Sequence, residues 1–157
     1  MAVHRLERRQ FVARPVDEVF SFFAEAGNLE RITPPWLSFR VLTPDPVRMA
    51  VGTLIDYRLR LHGIPLGWTS QIEVWEADSP TPQFVDRAIR GPFSLWHHRH
   101  RFAASGEGTI VSDEVHYAPP LGALGEIADQ LIVARDLDQI FAHRQQAVAE
   151  ILEGAHP

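Results

Sequence analysis

The stretch Trp96-His97-His98-Arg99-His100-Arg101-Phe102 decides how the chain folds. Its even positions are aromatic rings and imidazoles, its odd positions include Arg99 and Arg101, and a strand sends alternate side chains to opposite faces. The segment therefore predicts a strand with one basic face and one face of rings. After it, Ser105-Gly106-Glu107-Gly108 reads as a tight turn and Thr109 to Tyr117 as the returning strand. Placing Ala104 opposite Thr109 sets Phe102 against Val111, His100 against Asp113, His98 against Val115 and Trp96 against Tyr117, each pair on the inner face. On the other side, a fold at Gly91-Pro92 with Arg90 opposite Trp96 sets Ala88 beside His98 and Asp86 beside His100. The expectation is a row of Asp86, His100 and Asp113 across neighbouring strands, with His98 left without a protein partner and free to touch a ligand.

Outward from this hairpin, Val3 to Val12 alternates loosely and reads as an opening strand. Pro15 suits the first position of a helix with Asp17 and Glu18 in its first turn, Val16, Val19, Phe20 and Phe23 on one face and Gly27 past its end. Asn28 predicts the cap of a second short helix through Arg31, stopped by Thr33-Pro34-Pro35. Strands follow at Trp36 to Leu42, at Thr53 to His62, and around an inner face of Trp68, Ser70, Ile72 and Val74 opposed by Thr69, Gln71, Glu73 and Trp75. Phe84 to Arg90, Ser94 to Ala104 and Thr109 to Tyr117 complete seven strands. From about Leu121 the period changes, with Leu124, Ile127, Leu131, Ala134, Leu137, Phe141, Val148 and Ile151 at helical spacing and Gly154 where a terminating glycine belongs. A helix of roughly thirty residues is about 45 Å long, so it must lie across a curved sheet. The plan is α+β, a single domain over residues 1–157.

Composition sets the outer limits. The 157 residues carry 45% hydrophobic and 22% charged side chains, which argues against extended disorder. A net charge of -5 argues against a nucleic-acid partner, the odd face of Trp96 to Phe102 being the one small basic patch. Cysteine is absent, so disulfides, thiolate nucleophiles and zinc-thiolate sites are excluded and a cytoplasmic location is expected. Arg5, Glu7, Arg8 and Arg9 interrupt any leader-like apolar run, and no apolar stretch reaches the length of a membrane span.

The order of elements resembles the helix-grip fold of the START and Bet v 1-like superfamily, also called SRPBCC, in which a seven-stranded curved antiparallel sheet wraps a long carboxy-terminal helix. Asn28 to Pro35, Ile55-Asp56-Tyr57, Phe84-Val85-Asp86, Gly91-Pro92-Phe93 with Trp96, His98, His100 and Phe102, and Gly108-Thr109 with Asp113 and Tyr117 are similar to an uncharacterised bacterial branch of that superfamily. The resemblance implies a cavity between sheet and last helix. Superfamily relatives bind lipids, sterols, polyketides, quinones or plant hormones, and some are cyclases or hydrolases.

The expected function is binding of a small, largely hydrophobic molecule by Tyr57, Leu59, Trp68, Ser70, Ile72, Phe84, Arg90, Trp96, His98, His100, Val115, Tyr117, Leu131 and Phe141. Tyr and Trp on such a wall need a partner for their polar hydrogen, which a ligand can supply, and Arg90 near the Gly91-Pro92 turn can meet a carboxylate at the mouth. The first alternative is a cyclase, dehydratase or hydrolase in which His100 with Asp86 and Asp113 acts as acid and base. The second is an interaction module, possible as a homodimer, with a vestigial cavity. The plainest reading of the Asp86, His100 and Asp113 row is structural, since buried polar groups must be paired. His98 and His100 could join those carboxylates around a metal, but His-x-His on a strand arises easily in a chain with eight histidines, and neither metal nor cofactor is expected.

Overall fold

The computed structural model describes residues 2–119 and 132–154. Seven antiparallel strands form one sheet: β1 (His4–Val12), β2 (Arg40–Val41), β3 (Leu54–Leu61), β4 (Ile64–Glu76), β5 (Gln83–Arg90), β6 (Leu95–Ser105) and β7 (Gly108–Ala118). Their spatial order is β1-β7-β6-β5-β4-β3-β2, a meander whose first strand returns to pair with its last. Between β1 and β2 lie α1 (Val16–Phe23) and α2 (Leu29–Ile32), and the chain closes with α3 (Ala134–Glu153). This is the helix-grip arrangement. The expected helical positions Leu124, Ile127 and Leu131 lie outside the described residues.

Local sequence accounts for most element ends, with three differences. Pro15 stands one residue outside α1, and α1 ends at Phe23 rather than near Gly27. Asn28 precedes α2 but its side chain does not cap it: the amide donates to the carbonyl of Phe22 at 2.8 Å and ties α2 to α1. Trp36 does not begin a strand, because Pro34-Pro35 favours a short 3-10 turn, Pro35–Leu37, that buries Leu37 and leaves Trp36 47% exposed.

The β6–β7 register is the expected one. Phe102 faces Val111, His100 faces Asp113, His98 faces Val115 and Trp96 faces Tyr117. A two-residue turn with Gly106 in the left-handed region leaves little freedom of pairing. At its start, β7 lies so close to β1 that a β-carbon on Gly108 would collide with the Phe11 ring and the Val12 carbonyl.

The β5–β6 register differs from expectation by two residues. Asp86 faces His98 and Phe84 faces His100. The Gly91 to Ser94 connection is longer than a tight turn and does not dictate pairing, and β5 peels away from β6 beyond Arg87. A two-residue slip keeps every side chain on its expected face, so the faces survive while the partners change.

Irregularities in β4 produce two further corrections. Between Ile72 and Val74 the register shifts, so Trp75 rather than Val74 lies opposite Phe84. Trp75 then packs on Phe20 and Phe84, each with ring centroids 5.3 Å apart. A second shift pairs Ser70 with Ala88 and Thr69 with Arg90, which takes Arg90 off the inner row. Arg90 is exposed, with its guanidinium against Gly67, where an added β-carbon would push the end of that flexible side chain aside.

The last helix crosses the inner face of the sheet. Its Ala147 and Val148 complete one apolar cluster with α1, Tyr57, Ile72, Phe84 and Phe102, and its Leu137 and Phe141 complete a second with Trp96, Val115 and Tyr117. Polar ties to β1 and the residues after it set its lie. Arg8 donates to Asp138 at 2.7 Å, Gln10 to the carbonyl of Gln145 at 2.6 Å, and Arg14 to the carbonyl of Leu152 at 2.7 Å in the last turn.

Candidate functional site

The imidazoles of His98 and His100 occupy the seam between the two apolar clusters. Strand alternation puts both on the inner face of β6, and the pleat stacks them with ring centroids 3.6 Å apart. Phe84, opposite His100 in the observed register, covers its other side at 4.0 Å. Phe141 from α3 reaches His98 at 5.6 Å, and Trp96 meets it edge-on at 6.3 Å. Only 4% of His98 and 3% of His100 is exposed.

Each histidine meets a carboxylate on a neighbouring strand, diagonally rather than directly across. His98 Nε2 donates to Asp113 Oδ1 at 2.7 Å, although Asp113 faces His100 in the ladder. His100 Nε2 donates to Asp86 Oδ2 at 2.7 Å, although Asp86 faces His98. His100 Nδ1 lies 3.4 Å from the same Asp113 oxygen, inside the range of charge attraction but without a hydrogen-bond partner. The expected juxtaposition of Asp86, His100 and Asp113 is therefore present, and His98 belongs to it as well. The expectation that His98 lacks a partner is corrected, because the diagonal reach of Asp113 supplies one.

These environments push the two histidines in opposite directions. Burial, followed by the adjacent charge on His100, lowers His98 to about 4 despite its bond to Asp113. Burial acts on His100 in the same sense, but its contacts with Asp113 and Asp86 outweigh it and raise its pKa above the ordinary value. The carboxylates obey the converse balance. Burial favours their neutral forms, yet the His100 bond holds Asp86 low, and the His100 and His98 contacts hold Asp113 well below the usual carboxylate range. His98 is therefore held neutral at neutral pH, while the neighbouring carboxylates favour the protonated form of His100.

A fourth charged group enters from α3. Arg144 points at the sheet between Phe23 and Phe141, its guanidinium carbon 5.5 and 5.9 Å from their ring centroids. Its charge acts on Asp86, Asp113 and Tyr57. Its buried Nη2 has no hydrogen-bond partner. Apolar periodicity alone does not single out Arg144 on this helix. The signal was its spacing: Leu137, Phe141, Arg144, Val148 and Ile151 alternate steps of four and three along one stripe.

The remaining expected residues divide cleanly. Tyr57, Ser70, Ile72, Phe84, Trp96, Val115, Tyr117 and Phe141 are buried on the inner side, while Leu59 and Trp68 are half-buried. Trp68 Nε1 already donates to Ser70 Oγ at 3.0 Å, so a protein group supplies the partner expected of a ligand. Burial and the nearby Asp86 charge push the Tyr57 phenol up, so it stays protonated and Ser70 stands beside it. Arg90 faces away, and Leu131 lies outside the described residues.

Asp86, His98 and His100 offer ligating atoms within 4.8 Å of one another. Their geometry does not suit one ion. A metal must lie in the plane of each imidazole that binds it, and these rings are stacked face to face and within 26° of parallel. His100 lies instead between two carboxylates, which favour its protonated form.

Sequence and structural comparisons agree with this architecture. The family model described as "Polyketide cyclase / dehydrase and lipid transport" matches residues 12–141. The Zhui aromatase/cyclase from Streptomyces sp. R1128 superposes with a TM-score of 0.75 at 16% identity, over 97% of this chain and 94% of that one. A START superfamily protein from Mycobacterium smegmatis gives 0.67 at 15% identity, over 96% and 97%. A Thalictrum norcoclaurine synthase gives 0.68 at 13%, over 96% and 94%. No curated protein matches the chain at a significant level. No helix among the described residues is long and apolar enough to cross a membrane. The structural likenesses carry the fold, the family model spans β1 to α3, and together they establish that the chain belongs to the polyketide cyclase/dehydrase and lipid transport family of the SRPBCC superfamily.

Proposed function

We propose that the chain, acting as a single domain, binds a small, largely apolar molecule such as a lipid, polyketide or quinone between the sheet and α3, and that Arg144 receives its oxygen-bearing end. The observation that carries this reading is the buried Nη2 of Arg144, which has no hydrogen-bond partner although the charge of Arg144 acts on both Asp86 and Asp113. A buried donor without an acceptor is destabilising by about 1–3 kcal/mol, and a carbonyl or hydroxyl oxygen from a ligand would relieve it. Trp96, Tyr117, Phe93 and Phe141 provide the apolar wall nearby. The family description and the aromatase/cyclase and START-like neighbours support a ligand of this class.

The test combines native mass spectrometry of protein purified from its own cells with titration by anilinonaphthalene sulfonate, an apolar probe carrying an oxyanion. A co-purifying oxygenated small molecule is expected, and Arg144→Leu should weaken probe binding about tenfold, the loss of one charge-assisted hydrogen bond. A bare protein whose Arg144→Leu variant binds the probe as tightly as the parent would sink the reading.

One observation favours turnover as a second reading. The pKa values of His98 and His100 are pushed in opposite directions within one row, the pattern that divides acid from base. His100→Ala separates the two: a binder loses part of its affinity, whereas a cyclase or dehydratase loses turnover while still holding its ligand.

A further inference from the structure

We propose that the outer face of β1, β7 and β6 holds a phosphate-type oxyanion between Arg9, Arg99 and Arg101. The basic odd face of Trp96 to Phe102 is not used by the interior site. In the sheet it acquires a neighbour from the start of the chain. Arg9 and Arg101 lie opposite Ser112 from its two sides, so the three form one cross-strand row with the serine in the middle. Arg99 stands two residues along β6 on the same face.

Glu114 stands opposite Arg99 and feels its charge, but it and Glu7 are both ion-paired to Arg5. Arg5 binds Glu7 at 2.5 Å and Glu114 at 2.7 Å, leaving Arg9, Arg99 and Arg101 with no carboxylate within 4.0 Å among the described residues. Arg99 and Arg101 instead donate to a single neutral oxygen, Gln83 Oε1, at 2.8 and 3.4 Å. Gln83 thus draws two like charges together without neutralising either. Like charges on one face of a sheet repel, and an anion removes the repulsion. A recess of about 740 Å³ opens here, lined by Arg8, Arg9, Arg99, Arg101 and Ser112 together with Glu7, Asp113 and Glu114. Four arginines and three carboxylates line it in a chain whose net charge is -5, a small local excess of positive charge. Guanidinium forks and a hydroxyl suit a tetrahedral dianion, whose oxygens can accept from several donors at once.

The test is a nuclear magnetic resonance titration of the full chain with sodium phosphate, against sodium chloride at matched ionic strength. Saturable shifts at Ser112 and Arg101 are expected with phosphate only. The Arg9→Gln/Arg101→Gln variant should bind at least tenfold more weakly, while Arg58→Gln/Arg60→Gln, on the outer face of β3, should bind as the parent does. Equal shifts in chloride, or undiminished binding by the Arg9→Gln/Arg101→Gln variant, would overturn the proposal. Because these side chains are solvent-accessible, the variant is expected to fold, which its thermal melt in chloride checks. Flotation with phosphatidic acid vesicles against phosphatidylcholine vesicles then identifies the source. Flotation assigns the phosphate to a lipid headgroup, and phosphate binding without flotation assigns it to a soluble phosphate or phosphoester.

Discussion

The two faces of β6 carry the same spacing of polar residues and treat them in opposite ways. Inward, His98 and His100 each donate to a carboxylate at 2.7 Å, and the charge of Arg144 acts on both carboxylates. Outward, Arg99 and Arg101 share one amide oxygen, and no carboxylate lies within 4.0 Å of either among the described residues. The difference is solvent. A buried charge without a partner is expensive, so the interior supplies an opposite charge wherever it places one. On the outside, water and salt screen repulsion, so like charges accumulate at little cost and stay available to an external anion. The inner row should therefore govern stability, and the outer row should govern only what binds there.

The sharpest way to break this contrast is Asp113→Ala. Removing it leaves His98 Nε2 without an acceptor and His100 with one carboxylate instead of two, and the expected loss is about 3–5 kcal/mol by urea denaturation. A loss below about 1 kcal/mol would mean the inner row is held no more tightly than the outer one.

The next largest effect is in pH dependence. His98 titrates at about 4 in the folded chain against 6.5 for an ordinary histidine. The unfolded chain takes up that proton first, so the contribution is complete above pH 6.5 and is lost as pH falls from 6.5 towards 4. By linkage the loss reaches about 3 kcal/mol. His100 has the opposite sign: its raised pKa contributes stability that is full below 6.5 and fades as pH rises through the folded value. His98→Gln should flatten the stability profile on the acid side and His100→Gln on the alkaline side. Profiles that change on the reverse sides would show that the two protonation states are exchanged.

Smaller again is the response to removing the inward tryptophan. Trp75 is half-buried against Phe20 and Phe84, so Trp75→Ala should lower stability by about 2 kcal/mol, and more than Val74→Ala does. The reverse order would restore simple alternation along β4. The smallest effect belongs to the outer face, where Arg5→Ala breaks two contacts of an exposed side chain. Its denaturation midpoint should match that of the parent at 0.15 M salt, and a clear drop that persists at high salt would contradict the contrast drawn here.

Inner and outer faces were legible in the chain itself, because alternation with a period of two needs no knowledge of neighbours. So was the β6–β7 register, since the Ser105 to Gly108 turn is too short to permit a choice. The stripe of α3 was also written in the chain, including Arg144, which a reading confined to apolar residues passes over. Contacts that depend on several strands at once were decided only in the tertiary structure. The Gly91 to Ser94 loop leaves the β5–β6 pairing open by two residues, and that slip puts Phe84 rather than Asp86 opposite His100. The irregularities in β4 that turn Trp75 inward and Arg90 away arise from fitting a long strand to a curved sheet. The Asp113 bond to His98 and the Asp86 bond to His100 run diagonally across the ladder, a choice that ring stacking and side-chain reach make only after the strands are in place. A period assigns side chains to faces, but contacts on a face are set by packing among strands remote in sequence.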